Sequence, residues 1–122
     1  MLDKLIGAQI VDVSEFEILI KLNNQLYALS IIDEQGGCCG FADFQSQMFF
    51  EKNNKRNPII TNISLKEDDC DYKVSAKLTF FGENKELAQI EAEAGSGSGW
   101  MYGASVELHC KELNICETLV EY

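Results

Sequence analysis

The residues best suited to chemistry in this chain fall in two glycine-rich stretches and at one histidine. The first stretch is GGCCG, where Cys38 and Cys39 sit between Gly36, Gly37 and Gly40. The second is GSGSG followed by WMYG, which brings Gly95, Gly97 and Gly99 directly before Trp100, the only tryptophan, and Tyr102. Glycines at alternate positions admit positive φ and let backbone N–H groups approach a ligand closely. Successive N–H groups can form an anion-binding nest. Neither phosphate-binding fingerprint is present: the loop leads into a strand rather than a helix, and no lysine follows it. A plain hairpin connection explains the glycines equally well, and a core position would explain the aromatics. Rigid aromatics beside a bare loop are nevertheless what a binding site uses.

Adjacent thiols admit three readings. Packing comes first, because unpaired cysteine is among the most buried residue types. Zinc sites prefer C-x2-4-C pairs, and redox pairs are C-x-x-C. His109 and Cys110 could complete a zinc site on paper, but neighbours in a strand point to opposite faces. A Cys38–His109 nucleophile–base pair has no motif behind it. The carboxylates Asp33, Glu34, Glu91 and Glu93, which precede the two loops, read as a solvated strand face in preference to a paired acid and base. The candidate ligand-binding set is therefore Gly36, Gly37, Cys38, Cys39, Gly95, Gly97, Gly99, Trp100 and Tyr102. No catalytic residue, metal ligand or cofactor is assigned.

The elements that must position these residues are mostly strands. FEILIKL places Phe16, Ile18, Ile20 and Leu22 on one face, the period of a half-buried strand. Asn23-Asn24 reads as a tight turn, since Asn tolerates positive φ. QLYALSII follows as a central strand. VSAKLTFF alternates Val74, Ala76, Leu78 and Phe80 against polar residues, GENK turns the chain, and ELAQIEAEA returns. In WMYGASVELHC, Ala104, Val106, Leu108 and Cys110 share the face of Trp100 and Tyr102, while Ser105, Glu107 and His109 take the other. One segment departs from this pattern: Phe41, Phe44 and Met48 recur at helical spacing, which predicts a short helix over residues 42–52. Pro58 then opens a strand, IITNISL. Each half of the chain thus reads as a strand, a hairpin and a glycine-rich loop. The expected fold is α+β, mostly antiparallel sheet in two similar hairpin halves, with one short helix and a single domain over 1–122.

Composition bounds the rest. The chain is 46% hydrophobic and 25% charged, with 20 acidic and 10 basic residues and a net charge of −10. An acidic surface repels nucleic-acid phosphates and anionic membranes. No apolar run reaches the roughly 20 residues of a membrane span. MLDKLIGAQIVDV lacks the layout of a signal peptide, and five cysteines do not suit a disulfide framework. These features point to a cytoplasmic protein whose partner is a small molecule or another protein, with self-association left open.

The order of Ile6-Gly7 with Ile10, then Cys38-Cys39, then Gly99, Trp100, Tyr102 and Gly103 resembles a family of short uncharacterised proteins of phages and Firmicutes-type bacteria. Met101 stands between the two aromatics, a departure from that family's late segment. The resemblance implies a phage or prophage setting, with action in the host cytoplasm as an antagonist of host defence. It supplies no catalytic residues.

Overall fold

The computed structural model describes residues 2–34, 41–50, 58–70, 73–83, 85–95 and 104–122. Among these residues nine strands follow one another: β1 (Gln9–Val13), β2 (Glu17–Leu22), β3 (Gln25–Glu34), β4 (Phe41–Met48), β5 (Asn62–Cys70), β6 (Lys73–Gly82), β7 (Lys85–Gly95), β8 (Ser105–Cys110) and β9 (Ile115–Glu121). They form a five-stranded sheet, β1-β2-β3-β8-β9, and a four-stranded sheet, β4-β7-β6-β5. Every pairing is antiparallel.

The alternation seen in the sequence explains how the sheets meet. Ile18, Ile20, Leu29, Ile31, Val106 and Leu108 turn inward from one sheet, and Ala76, Leu78, Phe80 and Ile90 from the other; all are buried in one shared cluster. β7 contributes three small residues to that layer, Ala88, Ala92 and Ala94. Small side chains facing large ones let two sheets interdigitate without voids. At one end the N-terminal turn closes the layer. Leu5 is fully buried, and Gly7, at φ +96°, donates its N–H to the Ile60 carbonyl at 2.8 Å. A side chain there would be strained.

Turn chemistry sets the register. Asn23 and Asn24 both have positive φ, 52° and 65°, as a two-residue hairpin of type I′ requires. Leu22 then pairs with Gln25, and Ile18 with Leu29.

The expected helix is corrected to a strand. Ala42, Phe44, Ser46 and Met48 turn toward the interior, and Asp43, Gln45 and Gln47 are exposed. The open edge of β7 accepts this segment in register from Phe41–Gly95 to Met48–Ala88. Ladder pairing outweighs the helical spacing of three apolar residues. The described residues contain no α-helix, only 3-10 turns at Leu2–Leu5 and Lys111–Leu113. Over the described residues the fold is therefore antiparallel β-sheet, without the expected helix. Residues 51–52, the end of the expected helix, lie outside the described residues.

The repeat of strand, hairpin and loop takes a definite form. β1-β2-β3 and β5-β6-β7 are each a three-stranded meander. Each meander receives, beside its third strand, the strand that follows the other's glycine-rich connection: β8 beside β3, and β4 beside β7. β9 then extends the five-stranded sheet.

Candidate functional site

The strand exchange fixes where the two glycine-rich connections begin and end. The first leaves Glu34 in the five-stranded sheet and arrives at Phe41 in the four-stranded sheet. The second leaves Gly95 and arrives at β8, which opens at Ser105. Phe41 is paired with Gly95, and Glu34 with Ser105. The four anchor points are therefore two cross-strand pairs at one end of the molecule. Of the candidate ligand-binding residues, Gly95 is described, as the buried last residue of β7. Gly36, Gly37, Cys38, Cys39, Gly97, Gly99, Trp100 and Tyr102 lie outside the described residues. Ala104, which follows the second connection, is buried, and its carbonyl accepts the Tyr122 N–H at 2.8 Å.

The carboxylates beside these anchors are solvated, as the sequence suggested. Asp33 and Glu34 are exposed. Glu93 pairs with Lys73 at 3.2 Å and Glu91 with Lys77 at 3.8 Å, across β7 and β6. They belong to the outer face of the four-stranded sheet. Register there sets Asp43, Glu93, Ser75 and Asp68 in one row, and Gln45, Glu91, Lys77 and Lys66 in the next. Together these rows line a shallow groove of about 490 Å³. Exposed pairs of this kind contribute little to stability, about 0–1 kcal/mol each. Their effect is a surface of mixed charge with an acidic excess.

The strand holding His109 sorts its neighbours as alternation requires. Cys110 turns inward and is 2% exposed. Burial pushes its thiol pKa up, and the nearby Glu112 carboxylate, 3.6 Å from Sγ, adds to the rise. His109 turns outward, so the two cannot share a metal. Sequence reasoning missed the residue that His109 does meet. The β8–β9 hairpin pairs Cys110 with Ile115 and His109 with Cys116. Its signal was Asn114, which takes the left-handed conformation (φ 55°) that closes the turn after Lys111–Leu113. Reading that turn from KELN would have aligned the two residues.

At His109, Glu107 Oε2 lies 2.6 Å from Nε2, and Cys116 Sγ lies 3.7 Å from the same nitrogen. A nucleophile–base–acid relay requires the acid on one ring nitrogen and the nucleophile on the other. Here both address one atom, so this trio is not arranged as a relay.

Comparison with known proteins finds no matching family model, no matching curated relative and no matching solved structure. Among the described residues, no helix is long and apolar enough to cross a membrane.

Proposed function

We propose that the chain is a non-enzymatic binding protein whose working end is the one where both glycine-rich connections pass between the sheets. The pairing of their ends, Phe41 with Gly95 and Glu34 with Ser105, carries this reading. The two segments richest in bare backbone, one of them leading into two aromatics, share the same two anchor points. The ligand class that suits them is a small ring-bearing molecule resembling a nucleotide. The N–H groups around Gly95, Gly97 and Gly99 would meet its polar edge or anion, and Trp100 and Tyr102 its ring. Gly36, Gly37, Cys38 and Cys39 would form the opposing wall. The arrangement at His109 lacks the relay geometry of a nucleophilic enzyme. In the phage setting that the resemblance implies, sequestering such a molecule would antagonise a host defence.

Because Trp100 is the only tryptophan, the chain's own indole fluorescence reports on this end. Titration of the full chain with purine and pyrimidine mononucleotides should give a saturable change. Base–aromatic stacking contributes roughly 1–3 kcal/mol per contact. Tyr102→Ala should therefore weaken binding by about tenfold to a hundredfold. An unchanged spectrum across the panel would count against the nucleotide-like ligand.

The acidic excess around the groove of Asp43, Glu67, Asp68, Glu91 and Glu93 favours a second reading, a protein inhibitor that docks on a basic partner. That reading predicts a stoichiometric complex weakened by salt. It also predicts that a Glu91→Gln, Glu93→Gln double variant binds more weakly while Trp100→Ala does not.

A further inference from the structure

The outer face of the five-stranded sheet carries one constellation that the binding end does not use. Register sets Glu17, Ser30, His109 and Cys116 side by side on successive strands. Glu107 stands two residues before His109 on the same face, opposite Thr118. The donor atoms of Glu107, His109 and Cys116 all lie within 4.8 Å of one another. Half of the chemistry of this trio is already fixed. Nε2 offers either one proton or one lone pair. It cannot give a proton to Oε2 and accept one from Sγ at the same time. A carboxylate, a thiol and an imidazole converging on one point are a donor set that suits a shared cation.

We propose that Glu107, His109 and Cys116 form an open zinc site, with water in the fourth position. The donor set selects the metal: calcium and magnesium take oxygen ligands, whereas a mixed thiolate, imidazole and carboxylate set suits zinc. The geometry is close to what zinc needs. With Zn–N and Zn–O of about 2.0 Å and Zn–S of about 2.3 Å, tetrahedral coordination separates N from S by about 3.5 Å and N from O by about 3.3 Å. The observed Sγ–Nε2 distance is 3.7 Å. The Oε2–Nε2 distance, 2.6 Å, is a hydrogen-bonding distance, and a small rotation of the Glu107 side chain opens it. Charge also balances, since one thiolate and one carboxylate neutralise a dication. The backbone is preorganised, because His109 and Cys116 are direct cross-strand partners. His109 and Glu107 are half-buried, with side chains 34% and 30% exposed, so the face is reachable by the metal and by water. Ser30 and Thr118 are the cross-strand partners of His109 and Glu107.

The test uses the full chain, chelator-treated and then titrated with zinc alone by calorimetry. Wild type should bind one zinc ion per chain. His109→Ala and Cys116→Ala should abolish that event, and Glu107→Gln should weaken it by more than about tenfold, the least that losing a supporting partner costs a metal site. Cobalt substitution gives a second readout: tetrahedral visible bands with a thiolate charge-transfer band that disappears in Cys116→Ala. Circular dichroism checks folding. Should His109→Ala misfold, the near-isosteric Glu107→Gln and Cys116→Ser variants decide the matter by the same titration. Wild type that takes up no zinc, or binding left unchanged in folded Cys116→Ser and Glu107→Gln, would overturn the site.

Discussion

Cys110 and Cys116 share a hairpin yet meet opposite environments. Cys110 belongs to the shared core, and Cys116 stands exposed beside His109. In chelator-treated native protein, iodoacetamide should modify Cys116 well before Cys110. Peptide mass mapping over a time course checks the order, and equal rates would contradict the packing described. The raised pKa of Cys110 has a consequence for stability. A thiol that holds its proton more tightly when folded supports the native state fully below the unfolded pKa, about 8.5. That support is lost as pH rises from there through the folded pKa, because the unfolded chain then binds fewer protons than the native one. Denaturant midpoints should therefore fall on the alkaline side of about pH 8.5. Cys110→Ala should flatten part of that slope while lowering stability at neutral pH. At this scale the sequence was partly legible. Alternation alone separated His109 from Cys110. It could not join His109 to Cys116, because that contact depends on the left-handed turn at Asn114, a property of one backbone angle.

Individual elements rest on a few tight positions. Gly82 closes the β6–β7 hairpin where an added Cβ would run into the Ile59 carbonyl oxygen and lie 2.7 Å from Leu87 Cδ1. Backbone on one side and a buried side chain on the other leave no room. Gly82→Ala should cost about 1–3 kcal/mol, as overpacking does, measured by urea denaturation; a neutral result would place that contact in doubt. Asn114→Ala should cost about 1–2 kcal/mol through its left-handed backbone, with Asn114→Gly close to neutral. It should also loosen the pairing of His109 with Cys116. Most of the strands, and the turns at Asn-Asn and GENK, were readable from period-2 alternation and turn residues, but β9 was not read. β4 was misread because Phe41, Phe44 and Met48 satisfy a helical spacing, while its strand character comes from the partner edge of β7, far away in sequence. Phe44 also meets Phe16 edge-on at 6.0 Å, a contact between elements that spacing within one segment cannot express.

The whole molecule is held together by exchange. Each three-stranded meander is completed by the strand that follows the other's glycine-rich connection, and the two sheets share one core. Neither sheet can therefore form from one half of the chain alone. Unfolding should be a single cooperative transition, with far-ultraviolet dichroism and intrinsic fluorescence coincident in urea; separated transitions would contradict the shared core. The sequence carried the hint of two similar halves but not their exchange, since which edge accepts β4 or β8 is decided by long-range pairing. That same exchange brings the ends of both glycine-rich connections to two cross-strand pairs, and the proposed function rests on it. The most direct test is native mass spectrometry of the full chain with a mononucleotide mixture, comparing wild type with Trp100→Ala and Gly97→Ala, with a melting curve for each. The account predicts a bound small molecule on wild type that is lost from a Trp100→Ala chain that still melts cooperatively, and weakened in Gly97→Ala. A Trp100→Ala chain destabilised by about 3–5 kcal/mol, the cost of emptying a core position, beside a Gly97→Ala chain that binds as wild type, would contradict it.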